Sequence, residues 1–184
     1  FFLDAIRTLY RSKKSEEVPA EPSEEARGKA RTAYRLLEEW KLPPGTLRDG
    51  TFSSDALTTW VSIVKEKCIE SGHWEVAASR IGQVLRHAPL DQEGLWIEPV
   101  CEVLEQDGND RMRRGLTMKI YNGRGVFTPD GGKWETEAAE IWEKRADLVE
   151  NKGYSLLAQE LRRLASSYRH EAEREVNHTF QDLD

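Results

Sequence analysis

Residues 110–128, DRMRRGLTMKIYNGRGVFT, decide whether this chain is helical throughout. Read as a helix, the stretch puts Met112, Leu116, Ile120 and Tyr121 on one side, takes a cap from Asn109 or Asp110, and ends on a left-handed stop at Asn122-Gly123. Read as a hairpin, LTMKIY alternates, Asn122-Gly123 forms a type I′ turn and RGVFT returns. The surrounding sequence offers no sheet to join, and an isolated two-stranded hairpin is marginal in water. The helix is therefore preferred, with a small hairpin near 115–128 as the alternative. Both readings require a positive φ at Gly123.

Outward from this stretch the pattern is helical. Ser23 caps a first stripe of Ala30, Ala33, Tyr34, Leu37 and Trp40, which stops before Pro43-Pro44. Ser53, Ser54 and Asp55 offer the next cap, and Leu57, Trp60, Val61, Val64 and Cys68 continue to Gly72. Trp74, Ala77, Ala78, Ile81, Val84, Leu85 and Ala88 follow, ended by Pro89. A short helix begins near Pro99, and two longer ones carry Trp134, Ala138, Ile141, Trp142 and Val149, then Leu157, Leu161, Leu164, Ala165, Tyr168 and Ala172. No repeat of fixed period is visible, so the expected fold is all-α, an irregular bundle of six to seven helices. The helical domain spans 23–178, and residues 179–184 form a frayed tail.

Before Ser23 the character changes. Residues 13–25, KKSEEVPAEPSEE, hold two of the seven prolines and only Val18 and Ala20 as apolar side chains. Residues 13–22 read as a linker. Phe1, Phe2, Leu3, Ile6, Leu9 and Tyr10 form an uncapped helical stripe, which suggests a piece cut from a longer chain.

The 184 residues carry 27 Lys+Arg against 33 Asp+Glu, a formal net charge of −6. That sign argues against general phosphate-backbone binding, which needs a basic stripe to displace counterions. No apolar run approaches the roughly 20 residues that span a bilayer, so no membrane association is expected. Cys68 and Cys101 fit no metal spacing, and a reducing cytoplasm is the simplest setting for them.

The stretches IGQVLRHAP (81–89), YNGRGVFTPDGG (121–132) and LRRLASSYRHEAEREV (161–176), in this order and spacing, resemble the C-terminal helical module of large uncharacterised bacterial proteins of the kind suspected of phage defence. The likeness covers residues 24–176. It implies a setting within a larger bacterial protein, in which residues 1–12 would be the terminal helix of a preceding domain and the linker after them would let the module move; no catalytic residue is carried over from it.

Chemical motifs are sparse. His73-Trp74-Glu75 has the spacing that opens the zinc deaminase signature but lacks the later Pro-Cys-x-x-Cys, and reads as a helix start with an exposed His and a core Trp. A metal site from His73, His87, Cys68 and Cys101 would lack any i, i+3 or i, i+4 pair. Both cysteines lie on apolar faces where a thiolate is disfavoured. No catalytic constellation, metal site or cofactor site is expected.

Two features point to partners instead. Arg111, Arg113, Arg114, Lys119 and Arg124 form the only dense basic patch, suited to an acidic peptide, RNA or another domain of the parent protein. Arg162, Arg163, Arg169 and Arg174, interleaved with glutamates, read as helix-surface ion pairs. Among the six tryptophans, Trp60, Trp74 and Trp142 lie on apolar faces and read as core, while Trp40 and Trp96 stand beside loops and are the candidates for exposed anchors. The leading expectation is a non-catalytic protein-interaction or scaffolding module, binding other domains of its parent or a partner protein. The alternative is a nucleic-acid-sensing accessory domain using the arginines of 111–124, and a third class is an enzyme with a site outside known motifs.

Overall fold

Serine hydroxyls start two of the helices as their sequence positions anticipate. Ser23 accepts from the Ala26 amide at 3.2 Å and opens α2 (Glu24–Glu39), and Ser53 does the same for Ala56 at 3.2 Å to open α3 (Ser54–Glu70). The computed structural model describes residues 1–16, 21–123 and 131–181, with side chains through 177. Among these residues the remaining elements are α1 (Phe2–Leu9), α4 (Trp74–Leu85), α5 (Glu98–Glu105), α6 (Asp110–Asn122), α7 (Lys133–Asn151) and α8 (Ser155–Gln181). The fold is all-α, with two isolated β-bridges as its only extended pairing among the described residues.

Residues 110–122 are helical, so LTMKIY is not a strand. Gly123 has φ −83°, not a left-handed value, and its amide closes the helix onto the Lys119 and Ile120 carbonyls. The expected positive-φ stop is therefore absent. The return arm of the alternative hairpin and Arg124 lie outside the described residues.

Two glycines explain where α6 goes. A Cβ on Gly82 of α4 would overlap the Met112 carbonyl, and one on Gly115 of α6 would overlap the Ser79 carbonyl. The helices therefore cross backbone to backbone, a separation only glycine permits. Ile81, Leu85, Met112 and Leu116 flank the crossing and are fully buried. Around it lies the main core, which takes in Leu57, Val61 and Val64 of α3, Val100 and Leu104 of α5, and Leu157 and Leu161 of α8. A smaller cluster of Ala138, Ala139, Leu164 and Tyr168 joins α7 to α8.

Helix α5 is bracketed by side chains from other elements. Arg113 Nη1 of α6 donates to the carbonyls of Leu104 at 2.5 Å and Gln106 at 3.2 Å, satisfying the end of α5. Glu105 of α5 in turn accepts from the Leu156 and Leu157 amides at 2.9 and 3.0 Å, capping α8 from outside its own sequence. Carboxylate at a helix N-terminus is favoured by both hydrogen bonding and the helix dipole.

A local repeat emerges that the sequence conceals. The loop between α2 and α3 pairs Thr46 with Phe52, and the loop between α4 and α5 pairs Leu90 with Trp96. The same hydrogen bonds recur at a constant offset: Leu47 to Thr51 matches Asp91 to Leu95, and Ser53 to Gly45 matches Ile97 to Pro89. Gly50 and Gly94, with φ 84° and 74°, occupy the equivalent left-handed corner. An acid, that glycine and an aromatic two residues later (Asp49, Gly50 and Phe52 against Glu93, Gly94 and Trp96) are shared in sequence type, too little for a visible period.

The helix expected to end a preceding domain packs into this core. Phe2, Ala5 and Ile6 are buried with residues of α2 and α3. The first part of the expected linker is also tied down, because the Lys13 amide donates to Gly72 O at 3.1 Å and Lys14 Nζ to Glu70 O at 2.8 Å. At the other end α8 continues as helical backbone to Gln181, into the stretch expected to fray. No described helix is long and apolar enough to cross a membrane.

Candidate functional site

Several residues expected at a site serve the fold. Trp96 is 4% exposed, not an exposed anchor, because the 90–96 bridge turns its ring under the loop and onto Trp142, stacked at 6.3 Å and 18°. Trp40 is half-buried, its ring 5.3 Å from Phe2 and 5.9 Å from Trp60, so it holds α1 against α3. Trp142, Trp60 and Trp74, expected as core, are each only partly buried. The most exposed described tryptophan is Trp134, at 37%.

His73 and Trp74 exchange their expected places. His73 is buried at 8%, its Nε2 3.0 Å from Tyr10 O and its Nδ1 3.1 Å from Ser71 Oγ. Tyr10 O can only accept, so Nε2 carries the proton and the imidazole clasps the end of α1 to the α3–α4 turn. Trp74 is partly exposed beneath Lys65 Nζ, 5.3 Å from its ring centroid.

The basic patch divides among three environments. Arg113 is buried at 7% and spent on the α5 carbonyls. Arg111 is exposed and 3.4 Å from Glu75 Oε2 of α4. Arg114 is exposed and makes no ion pair among the described residues, and Lys119 donates to Glu38 Oε2 at 2.6 Å. Glu38 also accepts from Arg80 Nη1 at 2.6 Å, and Arg80 Nε reaches the Tyr10 hydroxyl at 2.9 Å. The Lys119 hydrogen bond, opposed by partial burial and helped by Arg80, holds the Glu38 carboxyl below its ordinary range.

Neither thiol is poised for nucleophilic chemistry. Burial raises the Cys68 pKa, and burial pushes Cys101 up to about 12 while its Sγ donates to Trp96 O at 3.2 Å. Among the described residues no three His, Cys, Asp or Glu side chains converge as metal ligands.

Among several surface grooves of the described residues, one of about 400 Å³ lies between α6 and α8. Thr117 lies at its base and donates to Glu160 Oε1 at 3.1 Å, and Arg163 Nη1 donates to Glu160 Oε2 at 2.9 Å. Glu160 is thus buried at 7% with both oxygens occupied. Leu164, 4% exposed, and Met118, 48% exposed, supply the apolar surface, and Arg114 and Arg163 stand at the rim. The volume falls within the roughly 300–1,000 Å³ of ligand clefts, and a thioether adapts to varied apolar shapes.

Among the described residues, Arg114 is the one expected site residue in this groove. Met118 carried an unused signal: it lies off the Met112–Leu116–Ile120 stripe, an apolar side chain on an otherwise polar face. Arg163 was legible only as an i, i+3 pair with Glu160, which it makes, while Arg162 and Arg169 reach across to Asp147 at 2.8 Å and Glu143 at 2.8 Å on α7. No protein-family model, curated protein or solved structure matches the chain.

Proposed function

We propose that this chain is a non-catalytic interaction module, binding another protein or another domain of a larger bacterial parent through the α6–α8 groove. The observation that carries the reading is Met118: a large apolar side chain left 48% exposed beside Arg114, which makes no ion pair among the described residues, at a groove of ligand size. Arg113 and Glu105, by contrast, are committed to the fold, Arg113 on α5 carbonyls and Glu105 on the start of α8. The nucleic-acid-sensing alternative loses support with Arg113, because a buried guanidinium cannot displace counterions from phosphate.

The test is capture from lysate of the bacterium that encodes the chain, comparing the full 184 residues with Met118→Asp and washing at low and high salt. A stoichiometric protein retained at high salt by the parent chain and lost with Met118→Asp is the expected result. Nucleic acid recovered alone, and only at low salt, overturns it in favour of sensing.

A further inference from the structure

We infer that the α6–α8 groove takes an acidic amphipathic helix of the partner; this rests on the interaction reading and adds the chemistry of the occupant. The chain as a whole is anionic, with a formal charge of −6, yet the groove inverts that sign. Among the described residues its exposed charges are Arg114 and Arg163, and the one carboxylate in its lining, Glu160, is buried and already satisfied by Thr117 and Arg163. A carboxylate arriving at Arg114 displaces no existing ion pair, since that side chain has none among the described residues. Of the apolar strip in the lining, Met118 is half-exposed and Leu164 is buried, so Met118 is the surface offered, in a trough bounded by two helices, to the stripe of an amphipathic helix with its i, i+3 and i, i+4 anchors.

RNA fits these features less well. Phosphates make no use of the Met118–Leu164 strip, and two arginines neutralise too few of them to hold a strand against an anionic body. An acidic helix uses both features together: its leucines meet the strip and its glutamates meet the rim, where planar guanidinium forks suit carboxylates.

The probes are two synthetic sixteen-residue helical peptides with the same leucine stripe, one flanked by glutamates and one by lysines, and a twenty-nucleotide oligouridine. Each is titrated into the ¹⁵N-labelled full chain. The expected result is at least tenfold tighter binding of the glutamate peptide than of the lysine peptide, with amide shifts centred on Thr117, Met118 and Leu164. Arg114→Glu, an exposed change that leaves the fold intact by its amide spectrum, should reverse the preference, and Arg163→Gln should weaken the glutamate peptide without reversing it. Equal binding of both peptides at the groove, or indifference to Arg114→Glu, overturns the acidic occupant while leaving the interaction reading in place. No groove shifts with either peptide up to millimolar concentration overturn the proposal and remove the support for that reading as well. Shifts from oligouridine alone assign the surface to nucleic acid instead.

Discussion

Gly82 and Gly115 are reciprocal: Gly82 of α4 lies against the Met112 carbonyl, three residues before Gly115, and Gly115 of α6 lies against the Ser79 carbonyl, three residues before Gly82. Each glycine makes room for the other helix's backbone. Gly82→Ala and Gly115→Ala should each cost about 3 kcal/mol or more, because a carbonyl held in a helix cannot retreat as a side chain can. Gly28 of α2 has nothing near its Cβ position, and Gly28→Ala should stabilise by about 0.5–1 kcal/mol. Urea unfolding of the three variants checks the contrast; equal stabilities would mean that the helices do not cross this closely.

Arg113 and Arg114 are neighbours with opposite duties. Arg113→Met should destabilise by about 2–3 kcal/mol, since the Leu104 and Gln106 carbonyls lose their buried donor. Arg114→Met should stay within about 0.5 kcal/mol of the parent, as expected for an exposed side chain with no ion pair among the described residues. Similar losses for both in thermal melts would show that Arg113 is on the surface.

Acid should loosen the joint between α2, α4 and α6. Glu38 has a folded pKa below its ordinary 4.5, through Lys119 first and Arg80 second against an opposing burial effect. A depressed carboxyl pKa contributes stability that is fully present above the unfolded value and is lost as pH falls through the folded value. Glu38→Gln should therefore lower stability at pH 7 and flatten its decline from about pH 5 downward. Parallel pH–stability curves for parent and variant would refute the shared ion pair.

Cys101 has the opposite sign. Its thiol is held neutral to about pH 12 in the fold against an ordinary value of 9.0. A raised pKa contributes stability present below the unfolded value and lost as pH rises towards the folded one, so the chain should weaken above about pH 9, and less so as Cys101→Ala. At pH 8 the native thiol should resist a disulfide reagent until denaturant opens the core. Rapid labelling of the folded chain would place Cys101 in a more open setting.

How much of this was legible beforehand depends on how far each residue's partner lies along the chain. Ser23 and Ser53 cap amides three residues away, and the stripes from Leu57 to Cys68 and from Leu157 to Tyr168 follow the helical period, so most element types and boundaries were legible in the sequence, while helix against hairpin after Asp110 was decided by the structure. Tertiary structure decided the rest. Trp96 reads as a loop-side ring, yet the bridge to Leu90 folds it under the loop onto Trp142. Arg113 and Arg114 are indistinguishable in a basic run, and only the end of α5 separates a buried cap from a free rim charge. The groove needs Met118 and Leu164 side by side, a proximity set by the glycine crossing of α4 with α6 and by the Glu105 cap that seats α8. Local hydrogen bonding and periodicity are short-range and so are written in consecutive residues. Burial, and with it the division between structural and available side chains, follows from which helix backbones can approach, and that depends on pairs the linear order keeps apart.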